Sequence, residues 1–455
     1  MSNSSNPDIV LRYEQVLSAL LEREGEHIIE PSLDRIKLLL EYLGNPETSY
    51  RIVHVAGTNG KTSTSRMIES MLMEAGLIVG MTTSPHLHDV RERIRMQGQP
   101  IDFVKFIETY EELAPYLDLV DEKLGTRLSY FEVMTAMAFA AFSDAPVDVA
   151  VIEVGLGGSW DATNVVSADV CVITPIDLDH QKFLGETIAE IAAEKAGIIK
   201  ENNIVVSALQ NPVAAEIIQN RATQTSSTLF FAGQDFDVVE RTLAIGGQLV
   251  SIRGLSGQFD EVVLPLLGQH QAANSALAVA AVEAFFGAGL DERKLNSEIV
   301  EQGLGNVTSP GRLEIIRRGP TVLVDVAHNP HGAQSLATAL ESEFDFQYLV
   351  AIVGMFADKD ARKFLDILQP SVNHLIVTQT SHERALPVAD LHAIASNIFE
   401  EEKLDSRPDV ASSIEYAIEL ADAAMIVEES GVGILVTGSV YTVAQARALL
   451  GKLNA

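Results

Sequence analysis

Cysteine occurs once in this 455-residue chain, at Cys171, and tryptophan once, at Trp160. A single thiol excludes an intramolecular disulfide and suits a reducing compartment. Basic residues are scarce: 32 Lys and Arg face 63 Asp and Glu, a formal charge of −31 at pH 7. Long-range repulsion from such a chain excludes non-specific binding to nucleic acid or an anionic membrane as its main activity. It does not exclude a small anion held by a few cations, helix N-termini or a metal ion. Long apolar runs are also missing. The longest strongly apolar stretch, Val133–Phe142, is too short to span a bilayer. Met1–Asn6 lacks the basic and apolar regions of a signal peptide. With only 31 glycines and 16 prolines, collagen-like and low-complexity classes fall away. These absences lead to the expectation of a soluble, cytoplasmic protein with no nucleic-acid or membrane partner.

Short β-branched runs alternate with amphipathic stretches. Arg51–Val55, Leu77–Met81, Val147–Val154 and Asp169–Thr174 read as strands, the last two apolar almost throughout, as in a parallel sheet covered on both faces. Thr62–Ala75, Phe131–Phe142 and Ile188–Ile199 read as helices. Thr228–Leu267 has the texture of hairpins, followed by helices over Gln271–Phe286 and Glu292–Glu301. Gly303–Gly311 is rich in turn residues and reads as a linker. Beyond it a second βα alternation begins with strands at Thr321–Val326, Tyr348–Val353, Leu375–Thr378 and Val432–Thr437. The expected architecture is α/β: a P-loop ATPase domain with a parallel sheet over residues 1–303, a linker at 304–311, and a smaller Rossmann-like C-terminal domain over 312–455.

Gly57-Thr58-Asn59-Gly60-Lys61-Thr62 follows a strand and opens a helix. Backbone N–H groups in such a turn form a nest for phosphate oxygens, Lys61 adds charge, and the hydroxyl of Thr62 or Ser63 is within reach of a metal ion. The general P-loop would place its first glycine at position 55, which is Val55. Ser84, Glu153, Asp179 and His180 lie at the C-terminal ends of neighbouring strands, the edge where open parallel sheets bind ligands. Together they suit a hard cation, with histidine the unusual donor. Gly155-Leu156-Gly157-Gly158 fails the dinucleotide fingerprint because Trp160 stands where its third glycine belongs. Zinc-type cysteine clusters and a G-x-S-x-G elbow are absent.

An ordered set of segments then resembles one family. These are His54–Thr62, Thr83-Ser84-Pro85-His86-Leu87, Glu153–Gly158, Asp161-Ala162-Thr163-Asn164, Leu178-Asp179-His180, Glu194-Lys195-Ala196-Gly197, Pro310–Glu314 and Ala327-His328-Asn329-Pro330. Together they resemble folylpolyglutamate synthase/dihydrofolate synthase, of the Mur ligase superfamily of ATP-dependent amide-forming ligases. The resemblance implies that Thr58, Asn59, Gly60, Lys61, Thr62 and Ser63 bind ATP phosphates, and that Asn274, Arg312 and Asp325 contact the nucleotide. It implies catalytic roles for Lys61, Asp161, Lys195 and His328. It implies two Mg²⁺ ions on Ser84, Glu153, His180 and Lys195, the last as N6-carboxylysine. On its own, Lys195 reads as an exposed helix lysine near Glu190 and Glu194. Ile29, Glu30 and Pro31 align with the dihydropteroate loop, and Thr83, Ser84, Pro85, His86 and Arg93 with a substrate loop.

The implied reaction joins L-glutamate to dihydropteroate, to reduced folates, or to both, through an acyl phosphate made with ATP, in a monomeric enzyme. Two departures stand out: Ser159-Trp160 replaces the family's usual Arg-Leu, and Thr62-Ser63 follows Lys61 where many members place a glycine, so either hydroxyl is available to a metal ion. A cell-wall precursor ligase is the first rival, and only 56 residues precede Gly57 for the extra UDP-sugar domain such ligases carry. A P-loop switch without ligase activity is the second, and it would need neither acceptor nor glutamate.

Overall fold

A computed structural model describes residues 6–23, 30–290, 293–428 and 431–451. It contains two compact units. The first is drawn from Met1–Val239, Ser251–Val262 and Asn274–Asn306, and the second from Glu240–Val250, Val263–Ala273 and Val307–Ala455.

Eight strands form the sheet of the first unit: β1 (Arg51–Ala56), β2 (Val79–Thr82), β3 (Ile94–Met96), β4 (Gln99–Pro100), β5 (Val149–Glu153), β6 (Val170–Ile173), β7 (Ile204–Ser207) and β8 (Thr228–Phe231). Their order is β4-β3-β2-β5-β1-β6-β7-β8. From β2 to β8 every pairing is parallel, and β3 and β4 are antiparallel additions at one edge. The central β5 and β6 are buried at every position, which is why their Val/Ile runs show no polar alternation. Val55 pairs with Glu153, and Ala56 with Ile173. The loops after β1, β5 and β6 therefore leave from one edge.

Three further strands, β9 (Asp237–Ala244), β10 (Gly247–Arg253) and β11 (Gln258–Leu264), make a small sheet of order β11-β10-β9. The second unit has six: β12 (Glu314–Arg317), β13 (Thr321–Val324), β14 (Tyr348–Val353), β15 (His374–Val377), β16 (Leu404–Ser406) and β17 (Val432–Thr437). They run β12-β13-β17-β14-β15-β16, parallel except for β12. Each main sheet has its own apolar core, with Phe139 and Phe142 in the first and Phe364 and Leu435 in the second.

Three local differences from the sequence reading have physical causes. The helix expected over Ile188–Ile199 stops at Lys195 and tightens to a 3₁₀ turn over Ala196–Ile198. The helix expected over Glu292–Glu301 runs instead over Ser297–Gly305, capped by Asn296 on the Glu298 amide. Gly303, read as a turn residue, lies inside it. A Cβ there would sit 2.7 Å from the Met71 Cα, so this glycine permits close helix crossing. Among the described residues, no helix is long and apolar enough to cross a membrane.

Candidate active site

The phosphate-loop candidate of the first unit rests on close backbone packing. Gly57 has φ 146° and Gly60 φ 87°, where side chains are strained. A Cβ on Gly57 would meet the Thr174 Oγ1 at 1.9 Å, and one on Gly60 would meet the Asn274 Oδ1 at 2.7 Å. Asn274 is thus held against the loop. The Thr58 and Asn59 amides donate to the Pro175 carbonyl at 2.9 and 3.4 Å. The Lys61 ammonium donates to the Gly57 and Thr58 carbonyls at 3.1 and 3.2 Å. Thr62 donates its hydroxyl to Glu153 Oε1 at 2.9 Å, and Thr83 donates to Oε2. Glu153, only 2% exposed, therefore links the phosphate loop to the segment after β2. Ser63 is buried in the first turn of the helix Lys61–Glu74.

Lys195 contradicts its isolated reading as an exposed lysine: it is buried. Gly158 packs directly on it, since a Cβ there would lie 2.6 Å from the Glu194 carbonyl oxygen and 2.9 Å from the Lys195 Cα. The Ser159 amide and hydroxyl both donate to that carbonyl, at 3.0 and 3.1 Å. Asn164 spans the two segments, its Nδ2 donating to the Ser159 and Gly197 carbonyls at 3.0 and 3.2 Å. Burial, then the charge of Lys61, lowers the Lys195 ammonium to about 7, against the opposing pull of Asp179, Asp161 and Glu194.

Asp161 is buried and accepts the Leu156 amide at 2.8 Å, the Thr163 amide at 2.9 Å and the Thr163 hydroxyl at 2.5 Å. Desolvation raises its pKa against those bonds. Since the Thr163 proton goes to Asp161, it is the His54 Nε2 that donates to Thr163, at 2.9 Å. His180 has φ 50° and its Nε2 lies 3.9 Å from Asp179. Among the described residues, no three His, Cys, Asp or Glu side chains gather as a metal-holding group. The donors on this edge are a carboxylate and hydroxyls, which suits a hard cation completed by phosphate oxygens.

On the substrate side, Ile29 lies outside the described residues. The Glu30 carboxylate and carbonyl both accept from Arg35, at 3.2 and 3.1 Å, while Arg35 Nε lies 3.1 Å from both Glu132 oxygens. Pro31 is exposed. Sequence reasoning missed the Arg35–Glu132 pair because no local pattern links residues so far apart. Buried Arg93 donates to His86 Nδ1 at 2.9 Å and lies 5.2 Å from the Tyr130 ring centre. Its carbonyl accepts the Thr83 amide, so the Thr83–Arg93 segment, with Ser84 and Pro85 joined by a cis bond, closes on itself.

In the second unit, Glu314 accepts the Gly311 amide at 2.8 Å and the fully buried Arg447 Nε at 2.9 Å, which fixes the loop that carries Arg312. Asp325, just after β13, accepts the Leu313 and Ala327 amides at 2.8 Å each. Desolvation raises its pKa while Arg312 and His328 oppose the rise. His328 Nδ1 lies 2.9 Å from the Val326 carbonyl, which places a proton on that nitrogen.

A model of the Mur ligase middle domain matches residues 55–282, and one of the Mur ligase glutamate ligase domain matches residues 311–440. The dihydrofolate synthase/folylpolyglutamate synthase of Mycobacterium tuberculosis is 43% identical over 98% of this chain and 95% of its own. That of Bacillus subtilis is 34% identical over 92% and 95%. The structure of Mycobacterium tuberculosis folylpolyglutamate synthase complexed with ADP superposes with a TM-score of 0.93, at 42% identity over 97% of this chain and 99% of that one. The chain belongs to the dihydrofolate synthase/folylpolyglutamate synthase family of ATP-dependent Mur-type ligases.

Proposed function

We propose that this protein uses ATP to join L-glutamate in amide linkage to dihydropteroate and to the γ-carboxylate of folylpolyglutamates. The observation that carries the reading is the hydrogen bond from Thr62 to Glu153 beside Lys61, at the phosphate loop of a chain that belongs to the dihydrofolate synthase/folylpolyglutamate synthase family.

The Gly60 amide, at the start of the helix, and the Lys61 ammonium hold the phosphates, while the Thr58 and Asn59 amides stay on the Pro175 carbonyl and shape the loop, and Asn274 borders it. The acceptor carboxylate attacks the γ-phosphorus, the bond to ADP breaks, and an acyl phosphate forms. The glutamate α-amine then attacks its carbonyl and phosphate leaves. The chain contributes position and charge. Asp161, His328, Arg312 and Asp325 are assigned to the nucleotide and reacting groups on the family pattern. Ile29, Glu30, Pro31, Thr83, Pro85, His86 and Arg93 are assigned to the acceptor in the same way.

Glu153, Thr62, Ser84, His180 and Lys195 are the residues that would hold two Mg²⁺ ions, which neutralise phosphate charge when bound. Lys195 joins them as N6-carboxylysine. Its amine, lowered to about 7, is substantially neutral near pH 7. A neutral amine attacks CO₂, losing one proton as the carbamate forms. We assign the protein to the cytoplasm as a monomer, with Cys171 reduced.

The test is ADP release with Mg-ATP and L-glutamate, comparing dihydropteroate, tetrahydrofolate and no acceptor. Release with both acceptors, absent without glutamate and abolished in Lys61→Ala, supports the reading. Release with one acceptor limits it to a single activity, and release with neither, from folded protein that binds ATP, refutes it.

A further inference from the structure

The loop between β2 and β3 carries Ser84, His86 and Arg93, and it folds around one of its own side chains. Glu92 is half-buried. Its Oε2 accepts the Leu87 amide at 2.8 Å, and its Oε1 accepts the His88 and Asp89 amides at 2.9 Å each. Three consecutive N–H groups that converge on one point make an anion nest, and here the anion belongs to the chain itself. Burial opposes the charge, yet the three amides and His86 bring the Glu92 pKa below the ordinary carboxylate value. The carboxylate is therefore ionised throughout the neutral range.

Further contacts tie this part of the loop to the body of the first unit. Asp89 accepts the Arg91 amide at 2.9 Å and, at 2.8 Å, the hydroxyl of Tyr13 from the helix Pro7–Leu21. The Arg91 guanidinium pairs with Asp89 at 2.8 Å and lies 3.5 Å from the Phe103 ring centre. The start of the loop is held separately. The Thr83 hydroxyl donates to Glu153, and the Thr83 amide to the Arg93 carbonyl. Ser84, next to Thr83, thus has an anchor of its own, while the residues that follow His86 sit on Glu92. Since Arg93 donates to His86 Nδ1 at 2.9 Å, the seat of Leu87–Asp89 sets where that imidazole meets the guanidinium.

We infer that Glu92 is a positioning residue for the acceptor: its carboxylate holds the Leu87–Asp89 backbone and so presents His86 to Arg93 before any substrate arrives. This role rests on the ligase reading and on the assignment of the loop to the acceptor. It adds a division of labour. Glu92 governs acceptor binding, and the Thr83–Glu153 end serves Mg-ATP.

The test is chemical. Glu92→Ala removes Cγ and the carboxylate, the atoms of one acetate ion, and leaves three amides facing the gap. Steady-state ADP release should show the KM for dihydropteroate raised about tenfold or more, with the KM for Mg-ATP unchanged. Acetate should restore the dihydropteroate KM, and chloride at the same ionic strength should not. Glu92→Gln keeps the shape but turns an NH₂ toward an amide N–H. Its dihydropteroate KM should rise as well, and acetate should not lower it. A dihydropteroate KM unchanged in both variants overturns the inference. So does a loss in Glu92→Ala that acetate leaves as it is, that falls equally on Mg-ATP, or that is confined to kcat. Should neither variant fold, amide exchange in the wild type decides. Leu87–Asp89 amides protected before acceptor is added uphold the role, and amides protected only with acceptor, or never, overturn it. Wild type that releases no ADP with any acceptor overturns the ligase reading, and the exchange result then still shows whether Glu92 holds the loop.

Discussion

Thr62, at the start of the phosphate-loop helix, donates its hydroxyl across 2.9 Å to Glu153 at the end of the neighbouring strand β5. The bond joins the residue best placed to meet phosphates to a carboxylate that is almost fully buried. A carboxylate oxygen and a hydroxyl in contact are the oxygen donors a hard cation prefers. Glu153→Gln keeps the shape and removes the charge, so ligase kcat should fall by about 10² or more. Thr62→Val should also lower kcat, and Thr62→Ser should restore most of it. Steady-state ADP release by protein of unchanged circular dichroism is the check.

Gly158 meets the Glu194 carbonyl and Lys195 backbone so closely that a methyl group has no room. Gly158→Ala must push the Lys195 segment away, at a cost of about 1–3 kcal/mol. Thermal unfolding should show the loss of stability. Activity should fall further than that loss explains, because Lys195 moves with the segment.

Two histidines set an acid limit. Burial holds His54 at about 3, and burial followed by Arg312 holds His270 at about 4, against an ordinary 6.5. The unfolded chain therefore binds protons that the folded chain refuses between pH 6.5 and those values. Their contribution is present above about pH 6.5 and is lost as pH falls, with a slope of up to about 1.4 kcal/mol per pH unit for each histidine. Urea unfolding from pH 7.5 to 5 should show stability falling. The fall should be shallower in His54→Gln if that variant folds.

Cys171 is buried and its thiol is pushed up to about 12 by burial. Iodoacetamide at pH 8 should leave the native protein unmodified and label it once in urea, counted by intact mass. Labelling of the native protein would contradict the buried position.

Arg447 is fully buried against Glu314. Glu314 keeps 22% of its side-chain surface exposed and also accepts the Gly311 amide, so Arg447→Ala strands it only in part and should destabilise the protein by about 1–3 kcal/mol. Arg447→Lys should recover only part of this, since one ammonium cannot replace the guanidinium fork that also reaches Glu314 Oε1. Equilibrium denaturation gives both values.

The phosphate loop and the two parallel sheets were legible because strand, glycine turn and helix follow one another locally, and because buried parallel strands are apolar throughout. The environment of Lys195 was not. Its helix carries Glu190 and Glu194 and looks solvated, and only the approach of Gly158 and Ser159, more than thirty residues earlier, buries it. The Asn164 clasp was hidden for the same reason. Gly303 misled in the opposite direction: a glycine that permits helix crossing has the same letter as one that makes a turn.

The central claim is that a carboxylate is activated by phosphoryl transfer before glutamate attacks. Dihydropteroate labelled with ¹⁸O in its carboxylate, incubated with enzyme, Mg-ATP and L-glutamate, tests it directly. The account predicts that one ¹⁸O per turnover appears in the released phosphate and that the product gains one glutamyl residue, both lost in Lys61→Ala. Unlabelled phosphate alongside the glutamylated product would contradict it.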